Sequence, residues 1–465
     1  MSEIELAVVG GTVVNDDWRG EATVLVADGR VTRLAAPGDA VPTGAELVDA
    51  TGRLVMPGGV DPHTHIDMSL GDFTTRDGYR EATTAAVWGG TTTVVDFAIP
   101  TPGQRPLDAV RARRAAASEG VCDAALHACV VEWDDSVPDQ LREIAELGVR
   151  TVKLFTTYRD VVMANADTVI AVMKVLRELG GLAYVHAEAD HLVVSDQRRA
   201  ERAGHIHAAG HASTRSELAE VTAVNEVLAS ARSVGAPVYF VHQTTPEAID
   251  AVRRARADGV PAYTETCPHY LSLDDGRYRQ DSPELYVCCP PLRARETVAQ
   301  VASRALTRAV DTVGSDHCCY DRSQKQLEVS DVRLMPNGMP GVETRLAVVF
   351  TELVEQRGLP LERFVALTAA NPARLNGIFP QKGIIAPGSD ADIILVDPRE
   401  RRTVTARSLH MATDYTPYES RELVGWASTV IVSGRVLVDE GRFSGEPPAG
   451  RALHSAPLPQ DQLIC

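Results

Sequence analysis

Lysine is the scarcest charged residue in this sequence of 465 residues. Of the 46 basic residues only four are lysine, and the other 42 are arginine. Part of this bias is what genome composition alone would produce. A lysine that stands in an apolar stretch nevertheless indicates a position where arginine cannot replace it. The four are Lys153, Lys174, Lys325 and Lys382.

A basic surface is also missing, because 63 acidic residues outnumber the 46 basic ones and give a formal net charge of −17. This balance argues against nucleic-acid binding, which depends on clustered lysine and arginine. No run of about 18 apolar residues occurs, so the sequence predicts no membrane span. The first residues, MSEIELAVVGG, lack a basic segment followed by an apolar one, and we expect no secretory signal.

The eight cysteines have neither the spacing of a disulfide framework nor that of a structural zinc ribbon, since no CxxC pair occurs. Two pairs are sequence neighbours, Cys288 with Cys289 and Cys318 with Cys319, and such pairs rarely bridge each other. Together with the missing signal, this pattern predicts a reduced, cytoplasmic, soluble protein.

Both ends of the chain have the pattern of short strands separated by turns. Near the N-terminus the apolar runs are punctuated by Gly-Gly, Asp-Asp and Asp-Gly, and the last 85 or so residues repeat this style. Short strands alone bury too little surface, so we expect the two ends to form one small β-sandwich together. The predicted strands are Leu6–Val9, Thr23–Val26, Val31–Leu34, Ile393–Val396, Val430–Val432 and Arg435–Val438.

The middle of the chain alternates apolar runs with helical stretches such as Asp139–Leu147, Val169–Leu179 and Ser216–Val234. Eight such units predict an α/β fold of parallel strands, a TIM-like (β/α)8 barrel. A doubly wound open sheet fits less well, because no GxGxxG occurs at a strand-to-helix turn. The predicted barrel strands are Leu54–Asp61, Thr93–Phe97, Ala124–Val131, Arg150–Phe155, Leu182–His186, Pro237–His242, Ala262–Cys267 and Thr312–Ser315.

These patterns divide the chain into two structural units. Residues 1–54 and 379–465 would form the β-sandwich, and residues 55–378 the catalytic barrel. The Pro-rich tail after Gly441 is expected to be irregular, and a neighbouring subunit is one surface on which it could lie.

Metal-binding side chains stand at the carboxyl ends of the predicted barrel strands, where barrel enzymes carry their catalytic residues. Two histidines at i and i+2 of an extended segment point the same way, so both can reach one ion. A single histidine or aspartate at a strand end is weak evidence for a metal site. Several such residues at the same end of separate strands predict one. The residues are His63, His65, Lys153, His186, His242 and Asp316.

Lys153 is the unusual member of this set. A protonated ammonium beside a divalent cation would be repelled, and the ordinary alternative is a lysine that extends to water. A lysine carbamate carries one negative charge on two oxygens and can bridge two metal ions. The scarcity of lysine favours this second interpretation.

Motifs along nearly the whole chain resemble the cyclic amidohydrolases, most of all the dihydropyrimidinase/D-hydantoinase branch. In order they are DPHTHID, VKLFTTY, YVHAE, VHQTTPEA, ETCPHYL, PPLR, GSDHC, PNGMPGVETR and NPARLNGIFPQKGIIAPGSDADIILVD. The resemblance implies a metal-dependent TIM barrel with a β-sandwich from both termini, small cyclic ureide or imide substrates, and a homo-oligomer, either a tetramer or a dimer.

The resemblance also implies roles for the site residues. Two zinc ions per chain, or other divalent metals, would be bridged by N6-carboxylysine at Lys153. The first ion would take His63, His65, Lys153 and Asp316, and the second Lys153, His186 and His242. Asp316 would move the proton, Tyr158 would polarise the scissile carbonyl, and Cys289 and Asn337 would hold the ring.

Two departures from the family pattern bear on the substrate. The residue before Pro-Pro-Leu-Arg, usually serine, is Cys289, and the loop after His65 is shorter than usual. An allantoinase is a rival reading. A dihydroorotase is disfavoured, because Ile66-Asp67-Met68 lacks the arginine that would bind an acidic ring. A non-catalytic tetrameric scaffold relative would lack the ligand set.

Two groups outside this set have ordinary structural explanations. The three histidines of the GHIHAAGH stretch, His205, His207 and His211, are expected in a solvated loop, and the resemblance implies that His211 to Arg215 lies near subunit contacts. Asp96 and Glu265 are expected to be hydrogen-bonded structural residues of strands.

Overall fold

The computed structural model describes residues 3–327, 331–444 and 447–460, and its centre is a parallel sheet of nine strands. In chain order these are β1 (Gly59–His65), β2 (Thr91–Ala98), β3 (Asp123–Cys129), β4 (Thr151–Phe155), β5 (Leu182–His186), β6 (Val238–Phe240), β7 (Ala262–Thr266), β8 (Thr312–Val313) and β9 (His317–Cys318).

The two edges of this sheet are parts of one interrupted strand. β8 pairs with β7, β9 pairs with β1, and the three residues 314–316 connect β8 to β9. Within this interruption the backbone N–H of Asp316 donates to the carbonyl of His63 at 3.0 Å. Because both edges belong to one short segment, the sheet closes on itself. The predicted TIM-like barrel is confirmed.

Helices follow the strands, and local sequence signals set their ends. In one of them the Asn165 side chain accepts from the backbone N–H of Thr168 at 2.8 Å, and Gly180 ends the helix with a left-handed φ of 62°. The α-helices are Tyr79–Trp88, Pro106–Ala116, Val137–Glu146, Ala166–Leu179, Asp190–Arg202, Glu217–Val234, Pro246–Ala257, Pro268–Ser272, Arg295–Ala305, Arg322–Lys325, Arg345–Val349, Leu361–Val365 and Asn371–Leu375. None of the helices in the described ranges is long and apolar enough to cross a membrane.

The β-sandwich contains strands from both ends of the chain, as predicted. Its buried core combines Leu6 and Val24 of one sheet with Val13, Ile393 and Ile431 of the other. The smaller sheet has the spatial order Arg30–Ala35, Thr23–Ala27, Leu6–Val9, Glu46–Asp49, and the larger one Arg442–Phe443, Arg435–Asp439, Ala427–Val432, Ile393–Val396, Leu54–Pro57, Thr12–Val14, Arg19–Glu21. Two hairpins lie apart from them, Ser69–Leu70 with Phe73–Thr74 and Arg401–Thr403 with Glu422–Val424.

One predicted barrel strand, Leu54–Asp61, is wrong as a single element. Its first half, Leu54–Pro57, pairs with Ile393–Val396 in the sandwich, and only its second half enters β1. The chain changes sheets at Gly58, where a Cβ would lie 2.1 Å from the Thr92 hydroxyl. A continuous apolar run has the same appearance whether its halves pair in one sheet or in two.

The C-terminal tail packs on the barrel of its own chain. Apart from the strand Arg442–Phe443 and the undescribed residues 445–446 and 461–465, it is irregular, as predicted. Leu453 and Leu458 donate backbone hydrogen bonds to Ala124 and Gly180, at the amino ends of β3 and β5. The described tail therefore covers the barrel end opposite the predicted site.

A buried ion cluster joins the barrel, the sandwich and the tail. The Lys382 ammonium contacts carboxylate oxygens of Asp123, Asp392 and Asp390 at 2.6, 2.7 and 3.0 Å. Arg451 of the tail contacts Asp390 at 2.6 Å and also pairs with Asp123. Burial opposes the charge on Lys382, but the three carboxylates outweigh it and raise the pKa of this lysine above its usual range.

Replacing Lys382 by methionine should lower the free energy of unfolding by about 3–5 kcal/mol, because the buried carboxylates would lose the one ammonium that contacts all three. They would keep the half-exposed Arg451 and Arg30, and Arg30 lies 3.8 Å from Asp390. Urea denaturation measures the change. The matched control is Arg111→Ala, which breaks an ion pair whose two side chains are 55% and 53% exposed and should cost less than about 1 kcal/mol. A Lys382→Met loss no larger than that of the control would contradict the cluster's role.

Candidate metal centre and substrate cavity

Eight of the nine predicted site residues line one cavity of about 460 Å³ at the carboxyl ends of the barrel strands. The ninth, His63, lies fully buried behind His65. This volume falls within the range of about 300–1,000 Å³ that small-molecule sites occupy. The eight residues are His65, Lys153, Tyr158, His186, His242, Cys289, Asp316 and Asn337.

Three of the predicted metal ligands already point at one spot. The Nε2 atoms of His63 and His65 lie 3.2 Å apart, and Oδ1 of Asp316 lies 3.1 Å and 3.3 Å from them. Burial opposes ionisation of Asp316, but His63 and His65 outweigh it and hold the pKa of this carboxyl well below its usual range. An ionised oxygen and two imidazole nitrogens at such spacing form a donor set that suits a divalent cation.

Glu265, at the end of β7, orients this group. Its carboxylate accepts from Nδ1 of His63 at 2.7 Å and from the backbone N–H of His242 at 3.0 Å. The bond to Nδ1 leaves Nε2 of His63 as the nitrogen that faces His65 and Asp316. The expected hydrogen-bonded structural role of Glu265 thus extends to positioning the site.

Lys153 has no polar partner among the described residues. Its side chain is fully buried, its Nζ makes no hydrogen bond, and the rings of Phe97 and Phe155 lie 4.5 and 5.0 Å away. Burial lowers the pKa of this amine to about 8. A buried lysine that is easily neutral can act as a nucleophile. These properties favour the interpretation that Lys153 is carboxylated over the interpretation that its side chain extends to water.

His186 and His242 form the other side of the candidate metal centre, with ring centroids 4.5 Å apart. Glu188 accepts from Nε2 of His186 at 2.7 Å, and Arg215 pairs with the same Glu188 oxygen at 2.6 Å. Nδ1 of His242 is buried and has no hydrogen-bond partner among the described residues. An unpaired, buried imidazole nitrogen suits a metal ligand.

Backbone strain coincides with the predicted site. Tyr158, His242 and Asp316 have φ values of 67°, 39° and 50°, a left-handed conformation that non-glycine residues rarely adopt. Such outliers gather at functional sites, where the surrounding structure holds a side chain in a particular direction.

The three predicted substrate contacts touch one another across the cavity. The Cys289 thiol donates to Oδ1 of Asn337 at 3.0 Å and is also hydrogen-bonded to the Tyr158 hydroxyl. Burial raises the pKa of Tyr158 well above its usual range, so its hydroxyl stays a donor. The Arg215 guanidinium lies over the Tyr158 ring, 4.8 Å from its centre, in a cation–π contact.

The resemblance implies that the Tyr158 hydroxyl donates to the scissile carbonyl. Replacing Tyr158 by phenylalanine should therefore lower kcat by about 100- to 1,000-fold, the loss expected when one oxyanion donor is removed. The metal content and the midpoint of thermal unfolding should not change. Steady-state kinetics on hydantoin give the comparison. Tyr320→Phe, at another tyrosine of the same cavity, is the control, and an equal loss in both variants would remove the special role of Tyr158.

The interpretation of the GHIHAAGH stretch needs correction. His205 and His207 are exposed, as expected, but His211 is buried, donates to the carbonyl of Cys288 at 2.8 Å and lines the cavity. Arg215 is buried there as well. His211 and Arg215 therefore belong to the wall of the cavity. The motif gave no sign of this, because His211 lies in a 3-10 helix, Ala208–Thr214, whose partner Cys288 is far away in the sequence.

Glu188 and Arg215 were not predicted as site residues. For Glu188 a signal was available, since it follows His186 at i+2, the same spacing that joins His63 to His65. For Arg215 no local signal exists, because its partners Glu188 and Tyr158 are far from it in the sequence.

A second group with metal-ligand chemistry, Asp77, His317 and Cys319, lies beside the cavity. Nε2 of His317 contacts Asp77 at 2.7 Å, and Nδ1 accepts from the backbone N–H of Gly341 at 3.0 Å. Both ring nitrogens are therefore occupied, so His317 has no free lone pair for an ion. This group packs the strand-to-loop junction after β9.

Comparisons with known proteins identify the family of this chain. A family model described as "Amidohydrolase family" matches residues 54–437. The chain is 38% identical to a D-hydantoinase of Ralstonia pickettii, with 97% of this chain and 98% of that protein covered. It is 36% identical to a D-hydantoinase of Streptomyces coelicolor, with coverage of 95% and 96%.

Solved structures with a similar fold include hydantoinases and dihydropyrimidinases. A dihydropyrimidinase from Brevibacillus agri superimposes with a TM-score of 0.94 at 35% identity, over 98% of this chain and 99% of that one. An L-hydantoinase from Arthrobacter aurescens superimposes with a TM-score of 0.88 at 27% identity, over 97% and 99%. The chain therefore belongs to the amidohydrolase family, within its hydantoinase and dihydropyrimidinase branch.

Proposed function

We propose that the protein hydrolyses the cyclic amide bond of a dihydropyrimidine or a 5-substituted hydantoin and releases an N-carbamoyl amino acid. The observation that carries this proposal is the convergence of His63, His65 and Asp316 on one spot beside an unpartnered, buried Lys153. Relatives with nearly full-length similarity bear the names D-hydantoinase and dihydropyrimidinase.

The donor set fits two divalent cations, which we propose to be zinc, although other divalent metals would suit it. His63, His65 and Asp316 would hold the first, His186 and His242 the second, with Lys153 shared between them. For this, the neutral Lys153 amine adds to carbon dioxide, forms an N–C bond and releases one proton, which leaves N6-carboxylysine. When bound, the cations would lower the pKa of a water molecule and polarise the substrate carbonyl.

The chain's own residues would orient the substrate and move the proton. Cys289 and Asn337 hold the ring imide against the cavity wall, and the Tyr158 hydroxyl donates to the oxygen of the scissile carbonyl as negative charge develops there. Asp316, held ionised by its histidine partners, accepts the proton of the attacking water and returns it to the departing ring nitrogen.

A turnover panel tests the proposal. Dihydrouracil, hydantoin, aryl-hydantoins and allantoin are supplied to the purified protein, and ring opening is followed by chromatography. Preference for the first three supports the proposal, whereas strong preference for allantoin would identify an allantoinase. Metal analysis separates the enzyme from a non-catalytic scaffold, because about two ions per chain are expected for the enzyme and about none for the scaffold.

We also propose that the protein is a cytoplasmic homo-oligomer, either a tetramer or a dimer. The oligomer is supported by its family membership. The cytoplasmic location is supported by the described cysteines, which are all free thiols. Light scattering of the purified protein measures the subunit number directly, and a stable monomer would contradict this part of the proposal.

A further inference from the structure

Lys325 is a second fully buried lysine, and its environment differs from that of Lys153. It ends the short helix Arg322–Lys325, and its side chain is 0% exposed. Its ammonium donates three hydrogen bonds, to the backbone carbonyls of Val287 and Pro336 at 2.7 Å and of Gly338 at 2.9 Å.

These three carbonyls flank the two segments that carry the proposed ring contacts. Val287 lies two residues before Cys289, and Pro336 and Gly338 lie on either side of Asn337. The backbone N–H of Gly338 also donates to the carbonyl of Val287 at 3.0 Å. One ammonium thus joins the segments whose side chains meet at 3.0 Å in the cavity wall.

The chemistry of this position selects lysine. An ammonium has three donors arranged around one point, which matches three carbonyls that converge on it, whereas a guanidinium spreads its donors across a plane. Without the ammonium, three buried carbonyl oxygens would lose a charged partner, and each such loss is costly. Lys325 itself does not line the cavity, so it can act on the substrate only through these two segments.

We infer that Lys325 is a positioning residue for substrate binding, which holds Cys289 and Asn337 at the separation that grips the ring imide. This inference rests on the proposed function. Because the proposed metal ligands stand on other segments, the loss of Lys325 should weaken ring binding and leave the chemical step nearly intact.

Lys325→Met tests the inference, because methionine keeps the length of the side chain and removes its donors. We expect KM for hydantoin to rise about tenfold or more while kcat stays within about threefold and the metal content is unchanged. Hydrogen exchange of the amides around Asn337 should become faster, and this readout does not depend on turnover. Lys174→Met, at an exposed lysine of the helix Ala166–Leu179, should change none of these quantities.

The outcomes separate this inference from the proposed function. If the unaltered protein opens no cyclic ureide, the proposed function fails, and hydrogen exchange alone then decides whether Lys325 orders the Asn337 segment. If the unaltered protein is active and a folded Lys325→Met keeps its KM, the inference is wrong. If that variant does not fold, Lys325→Gln, which keeps two donors, should show a smaller rise in KM, and an unchanged KM there overturns the inference.

Discussion

Replacing Lys153 by alanine should reduce kcat by about a thousandfold or more, together with a loss of bound metal. The native amine is fully buried and has no hydrogen-bond partner, which is unfavourable unless another species completes its surroundings. Carboxylation would turn this amine into an anion between the two ligand groups. Alanine can form no such bridge, so both ions should bind weakly. Metal analysis and steady-state kinetics on one preparation measure both effects.

Short carboxylic acids should restore part of the activity of Lys153→Ala. Acetate or propionate can enter the space left by the side chain and supply the two missing oxygens, whereas chloride at the same ionic strength cannot. Lys174→Ala, at an exposed position, provides the control and should behave as the unaltered protein does. Full activity of Lys153→Ala without added acid, or of a metal-free preparation, would contradict the bridging role.

The three buried lysines explain why the sequence retains any lysine at all. In the described part of the chain Lys153 has no hydrogen-bond partner, Lys325 contacts three carbonyls, and Lys382 contacts three carboxylates. Burial lowers the pKa of Lys153 and of Lys325 to about 8, while the carboxylates raise that of Lys382. All three environments suit a compact ammonium or amine and not a planar guanidinium. Only Lys174 is exposed.

Residues that follow a local rule were predictable from the sequence. Leu182–His186 matches β5 residue for residue, because a buried parallel strand is a short apolar run bounded by turn residues. Its last residue, His186, could be assigned to the site because parallel strands place their carboxyl ends together. The same rule predicted that His63, His242 and Asp316 lie at one end of the barrel.

Features that depend on distant contacts were not predictable in this way. The apolar run 54–61 does not reveal that its two halves pair in different sheets. His211 lines the cavity because the 3-10 helix Ala208–Thr214 places it next to the carbonyl of Cys288. The tail follows its own barrel because backbone groups at Ala124 and Gly180 accept its hydrogen bonds. The periodicity of the sequence does not indicate which distant residues a segment will contact.

Replacing Asp316 by asparagine should lower kcat/KM by about a thousandfold or more, because one substitution removes both a proposed ligand and the proposed proton carrier. The amide keeps the shape of the side chain but cannot accept the proton of the attacking water. It also lacks the charge that His63 and His65 stabilise in the native carboxylate at 3.1 and 3.3 Å. Kinetics at saturating zinc distinguish the two losses, since added metal can repair only weakened binding.

Asp190→Asn is the matched control for this variant. Asp190 lines the same cavity, but its carboxylate pairs with Arg159 at 2.5 Å and stands apart from the candidate ligands. The activity of Asp190→Asn should change by less than about threefold, because the ion pair that this variant loses is partly exposed. If Asp316→Asn, fully loaded with zinc, retained activity within about tenfold of the unaltered protein, the proton would have to travel through another group. Glu188 would be the next candidate, because its carboxylate contacts His186 across the same metal centre.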